Sequence, residues 1–220
     1  MTLPLAASAA GVVLEIQAAA GEVRPSSWRR MVRAVSALVG LMGLGFHAFN
    51  VTKRVGGLSP VNVYYGAPAG APGALILAGG LGSLAGRLSA PGARRTVGGL
   101  AALGLAGAVG EAALFHHRGA FHNRFMWLPM VLPPLAAAAL AADVAKGRRR
   151  AATGVLLGLT AAMGLTGAGF HIWGVSRHMG GWRNWRQNLL DGPPIPAPPS
   201  FTGLAVAALG AWMLLEGGLG

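Results

Sequence analysis

The chain has 220 residues, 53% of them hydrophobic and 11% charged, with 36 glycines, no cysteine and a formal net charge of +12. A soluble domain carries about a quarter charged residues, so polarity here is too scarce to cover a water-facing surface, and much of that surface must meet lipid. Without cysteine there are no disulfides and no thiolate-held metal or iron–sulfur sites; the positive charge, spread between apolar segments, fits orientation in a membrane with anionic lipid better than nucleic acid.

Residues 1–30 open with an apolar run from Leu3 to Val13, and Ala18-x-Ala20 resembles a signal-peptidase site. No basic residue precedes the run, and Glu15 and Gln17 interrupt it. The expectation is therefore a helix lying at the cytoplasmic interface rather than a cleaved leader.

A helix needs about 20 apolar residues to cross a bilayer at 1.5 Å per residue. Six stretches fit: 31–51, 73–91, 96–116, 127–145, 151–174 and 200–217. They predict an all-α protein, a polytopic transmembrane six-helix bundle forming one domain over 31–220. Its three hairpins span about 31–91, 96–145 and 151–217. The short connections and the chain start collect Arg24, Arg29, Arg30, Arg33, Arg87, Arg94, Arg95, Lys146, Arg148, Arg149 and Arg150. The long loops collect Lys53, Arg54, Arg118, Arg124, Arg177, Arg183 and Arg186. Excess Lys and Arg near short loops marks the cytoplasmic face, so both termini are expected in the cytoplasm of a bacterial inner membrane.

Residues 37–57 and 161–181 are identical at ten of twenty-one positions without a gap, including Gly43/Gly167, Gly45/Gly169, Phe46/Phe170 and His47/His171. Farther on, Asn62-x-x-x-Gly66 reappears as Asn188-x-x-x-Gly192. The first and third hairpins are thus expected to be an internal duplication. Gly82-x-x-x-Gly86 and Gly154-x-x-x-Gly158 predict close helix packing, since small residues let backbones approach in lipid. Gly43, Gly45, Gly167 and Gly169 also offer room for a flat cofactor ahead of each repeated histidine.

All six histidines fall at one predicted rim: His47, His116, His117, His122, His171 and His178. Two chemistries suit them. Neutral imidazoles from His47 and His171, with His116 or His117 as alternatives, can ligate haem b. Three or four imidazoles from His47, His171, His116 and His122, with Glu111 or Asp191 nearby, can instead hold a transition metal. Glu111 qualifies because it is the acid placed deepest in a predicted span, where ionisable groups tend to be functional. The bland alternative is that His and Trp at helix ends are interfacial anchors. No two of these histidines share the i, i+3 or i+4 spacing of a helical metal site.

The last long loop carries Trp182, Arg183, Trp185 and Arg186, then Pro193-Pro194-Ile195-Pro196-Ala197-Pro198-Pro199. The tryptophans and arginines fit lipid headgroups or an acidic soluble partner. Tyr64 and Tyr65 occupy the matching loop of the first hairpin. The proline run predicts an extended polyproline II segment. There is no phosphate-binding glycine loop, no His-Glu-x-x-His and no paired carboxylates in a span.

Phe46-His47, Asn50-Val51-Thr52-Lys53-Arg54, Gly56-Gly57, Tyr65-Gly66-Ala67-Pro68, Arg118-Gly119-Ala120-Phe121-His122-Asn123 and Gly180-Gly181-Trp182-Arg183-Asn184-Trp185 resemble a group of uncharacterised bacterial multi-pass membrane proteins. The resemblance covers nearly the whole chain after residue 30. It implies an association with gluconate-dehydrogenase-like oxidoreductases, and it supplies no ligand residues. The expectation is a membrane subunit passing electrons between an external, periplasmic dehydrogenase and membrane quinone, through haem b or a metal. The alternatives are an anchor for a periplasmic partner with no cofactor at all, and a small-molecule transporter.

Overall fold

The computed structural model describes residues 2–19 and 26–215; Ala20 and Arg24 lie outside them. The chain divides into two compact units, Met1–Arg87 and Leu88–Gly220.

The first unit contains α1 (Thr2–Ala19), α2 (Ser26–Thr52), the short α3 (Pro60–Tyr64) and α4 (Gly70–Ala85). Helix α1 packs on α2, and α2 packs along α4. The α2–α4 approach is close because glycine faces backbone. A Cβ on Gly40 would stand 2.6 Å from the Pro72 carbonyl, and one on Gly79 2.5 Å from that of Arg33. Helix α3 starts where sequence rules put it: the Ser59 hydroxyl accepts a hydrogen bond from the Asn62 amide at 3.2 Å, and Pro60 follows as the first helical residue.

The second unit contains α5 (Pro91–Arg118), α6 (Leu128–Lys146), α7 (Ala151–Arg177), α8 (Trp185–Asp191) and α9 (Ala197–Met213). Single 3₁₀ turns at Arg124–Trp127 and Gly181–Asn184 precede α6 and α8. Helix α9 packs on both α7 and α5, and α6 on both α5 and α7. The core is made of small and branched residues, with Ala101 and Leu105 from α5, Ala136 and Leu140 from α6, Leu157 from α7, and Phe201, Ala208 and Trp212 from α9.

The expected six-helix bundle is not what forms. Nine α-helices are present among the described residues. Four helical stretches there have the length and apolarity to cross a membrane: Ser27–Thr52, Pro91–Arg118, Arg124–Lys146 and Ala151–Arg177. The stretches expected at 73–91 and 200–217 form shorter helices. Helix α4 stops at Ala85 with Gly86 as its C-cap, and Ala90 is extended ahead of Pro91 (φ −81°, ψ 129°). At 16 residues it is about 24 Å long against a hydrocarbon core of about 30 Å.

Helix α9 is shifted toward the N-terminus, and this overturns the extended proline segment. Pro196 has helical backbone angles (φ −73°, ψ −14°) and Pro198 and Pro199 lie in the first turn of α9. Proline is tolerated there because first-turn amides have no intrahelical acceptor. At its other end, Arg149 donates to the Met213 carbonyl at 2.9 Å and Arg94 donates to that of Leu214. Two of the basic residues counted toward topology are therefore also caps on exposed helix carbonyls.

The small-residue pairs are only half used. A Cβ on Gly154 would meet the Trp212 ring at 2.6 Å and one on Gly82 the Arg33 side chain at 2.8 Å, while Gly86 and Gly158 face open space. Large apolar side chains stand exposed along the long helices, among them Leu103, Val155, Leu159 and Leu165. Such a surface is consistent with lipid contact.

Candidate functional site

The ends of α5 and α7 carry the histidines of the second unit, and backbone carbonyls orient three of them. The Nδ1 of His116 is 2.8 Å from the Met126 carbonyl oxygen, that of His122 is 2.9 Å from Gly119 O, and that of His171 is 2.8 Å from Pro194 O. A carbonyl oxygen only accepts, so in each case Nδ1 carries the proton and donates. In the neutral ring the lone pair is then on Nε2, the arrangement that presents imidazole to a metal or haem iron.

The loop after α5 explains how His116 is held. Ala120 and Phe121 adopt left-handed backbone angles (φ 56° and 47°), which are uncommon for residues with a Cβ. This turn brings the Phe121 ring edge-on to His116 at 5.9 Å and flat on Trp127 at 4.3 Å. The following 3₁₀ turn is started by Asn123, whose side chain accepts from the Phe125 amide at 3.0 Å. That turn supplies the Met126 carbonyl to His116, and Phe125 stacks on Phe170 at 5.0 Å. His117 and His178 are exposed, and Glu111 is half-buried on α5. Asp191, in α8, accepts from the Gln187 side-chain amide. Among the described residues no three His, Asp or Glu side chains converge as a metal ion would need.

His47 lies in the first unit. Its Nδ1 is buried and has no hydrogen-bond partner. The repeated motif around it divides by helix face. A Cβ on Gly43 would meet Pro72 Cβ at 3.1 Å, and one on Gly167 would meet Pro198 Cβ at 2.8 Å. The room expected for a flat cofactor at these two positions is thus taken by proline. Gly45 and Gly169, two residues later, have no atom within 4 Å of a Cβ position.

The loops after α2 and α7 are braced by one device each. Asn62 Nδ2 donates to the carbonyls of Val55 at 3.0 Å and Gly57 at 2.8 Å. Asn188 Nδ2 donates to those of Met179 at 3.3 Å and Gly181 at 2.8 Å. Gly56 and Gly57, like Gly180 and Gly181, are in the left-handed region that favours glycine. Val55 and Met179 are left fully or almost fully exposed (101% and 91%). Trp182, Arg183, Trp185 and Arg186 are exposed as well. Arg54 donates to the Tyr65 carbonyl at 3.2 Å, and Tyr64 meets Tyr65 edge to face at 4.8 Å. Because Asn188 is buried and bonds twice, Asn188→Ala should cost about 1–3 kcal/mol. Limited proteolysis at the Gly180-Gly181 turn would report it as faster cleavage.

The sequence points to Glu111 as the deep acid, but the wholly buried one among the described residues is Asp143. Asp143, near the end of α6, is completely buried. Its carboxylate accepts from Arg150 Nε at 2.5 Å, from the Arg150 amide at 3.1 Å and from Trp212 Nε1 at 3.0 Å. Arg150 also donates to the Ala139 carbonyl at 3.0 Å. The signal available in the sequence was the lone acid beside the Lys146–Arg150 run; its partner Trp212 is 69 positions away. The cluster ties α6, α7 and α9 together and stands apart from the histidines. No known family model, no curated protein and no solved structure matches the chain.

Proposed function

We propose that this chain is a membrane subunit of an oxidoreductase system, passing electrons between an external dehydrogenase and quinone through haem b held by imidazoles at the ends of α5 and α7. The observation that carries the reading is the triple orientation of His116, His122 and His171 by backbone carbonyls, which leaves Nε2 of each as the ligand atom. His171 and His116 are the pair of choice in the second unit, and His47 is the candidate in the first. A haem would be held by two imidazoles, whereas a transition metal would take at least three ligands. Two donors are the easier requirement for this arrangement. Bound haem would supply one-electron redox chemistry; the protein fixes the tautomers, packs Phe121 against His116 and stacks Phe125 on Phe170.

In the same reading the membrane is a bacterial inner membrane, with the Lys- and Arg-rich ends of α5, α6 and α7 on its cytoplasmic side. The matching segments 37–57 and 161–181 descend from one duplicated stretch. The paired Asn62 and Asn188 braces, on equivalent loop carbonyls, support that descent. A second reading is an anchor for a periplasmic partner, favoured by the exposed Trp182, Trp185, Arg183 and Arg186.

Absorption spectra separate the two. Detergent-purified protein should show a b-type Soret band that shifts on dithionite reduction. His171→Ala or His116→Ala should abolish or blue-shift it, with helical content unchanged. A featureless spectrum after expression with added haem, together with no stoichiometric metal, would leave the anchor reading.

A further inference from the structure

We propose that the outward face of α7 is a binding site for one phospholipid with an anionic headgroup. Thr166, Gly169, Phe170 and Trp173 line an open, apolar groove of about 390 Å³. Their 3–4–7 spacing puts them on one face of the helix. Arg177 follows one turn later on the same face, its guanidinium 5.8 Å from the centre of the Trp173 ring.

Three observations identify the occupant. First, Gly169 is a helix-interior glycine with no protein atom within 4 Å of a Cβ position, whereas Gly164, Gly167 and Gly174 on the other face are filled by Thr202, Pro198 and Pro193. Glycine is unfavourable inside a helix, so packing within the unit accounts for the other three and not for Gly169. Second, the rise from Thr166 to Arg177 is about 16 Å at 1.5 Å per residue, close to half of a hydrocarbon core of about 30 Å. One acyl chain in one leaflet has that depth. Third, Arg177 is the last residue of a candidate span, which sets its charge at the level of lipid phosphates. A soluble acidic protein could reach Arg177 but not a groove floor eleven residues inside the span.

The first unit presents the same constellation. Gly45 is open, Met42, Phe46 and Phe49 are exposed, and the Lys53 ammonium lies 5.3 Å from the centre of the Phe49 ring at the end of its span. The site uses no histidine and stands whether or not a cofactor binds.

Bromine on a lipid tail quenches a tryptophan it touches. Full-length protein is reconstituted in phosphatidylcholine vesicles containing brominated phosphatidylglycerol or brominated phosphatidylcholine, and Trp173 emission is obtained by subtracting the Trp173→Phe signal. Half-maximal quenching of Trp173 should need about fivefold less phosphatidylglycerol than phosphatidylcholine, the preference one cation at the surface confers. Arg177→Gln should remove that preference and leave quenching by phosphatidylcholine in place. Gly169→Leu should weaken quenching by both. Equal quenching by the two lipids in the wild type overturns the proposal, as does a preference that survives Arg177→Gln with helical content intact. Binding of an acidic protein at Arg177 without lipid preference would also overturn it. Absence of quenching at every tryptophan would overturn it as well, because α7 would then lie outside the bilayer.

Discussion

Asp143→Ala should lower the stability of the second unit by about 2–4 kcal/mol, the larger of two effects expected from single substitutions. The carboxylate is wholly buried and accepts three hydrogen bonds. Removing it strands the Trp212 indole N–H, and hydrogen bonds to a charged group contribute about 1.5–3 kcal/mol each. The Arg150 side chain is 41% exposed, so water rehydrates it and the loss stays below that of a fully buried broken pair. Trp212→Phe gives up one bond and withdraws the far edge of the indole from Gly154, so it should cost about 1–3 kcal/mol. Thermal unfolding in detergent, followed by circular dichroism, ranks the two. An Asp143→Ala midpoint equal to wild type would mean that the cluster contributes nothing net.

Gly164→Ala should destabilise by about 1–3 kcal/mol, because α7 and α9 are in backbone contact there. A Cβ would stand 2.7 Å from the Pro198 carbonyl oxygen and against the Thr202 side chain. Thr202 Oγ1 is itself fixed by donating to the Ala161 carbonyl at 2.8 Å, so it cannot swing away freely. Gly158→Ala, six residues earlier on the same helix and facing open space, should be neutral or stabilising by up to about 1 kcal/mol. The two substitutions share chemistry and helix. Opposite signs in one unfolding series would establish that the α7–α9 approach, rather than helix propensity, dominates at Gly164.

The glycines show how far a sequence can be read. Position 164 matches position 40 in the repeat, and position 167 matches 43, so a requirement for small residues is legible. Which of them serve packing is not. Gly167 and Gly169 look equivalent in the Gly-x-Gly-Phe-His string, yet 200° of helical rotation separates them, about twice 100° per residue. One meets Pro198 and the other meets nothing. Gly82-x-x-x-Gly86 and Gly154-x-x-x-Gly158 illustrate the same limit, since a helix face is readable but its neighbour is not.

Composition and periodicity by themselves determined that the chain is helical, with long apolar segments suited to lipid and histidines gathered at helix ends. These follow from local physics: too few charges to cover a surface, and a backbone that in lipid must satisfy its own hydrogen bonds. Tertiary structure decided where α9 ends, because Arg149 and Arg94 meet its last carbonyls, whereas Gly86 and the turn before Pro91 bound α4 locally. It also decided that Asp143 rather than Glu111 is the buried acid, and that the His116, His122 and His171 rings are held through Nδ1. Those outcomes depend on partners distant in sequence: Trp212 for Asp143, Met126 for His116 and Pro194 for His171. A local pattern specifies the residue that needs a partner; only the packed chain supplies the atom that meets it.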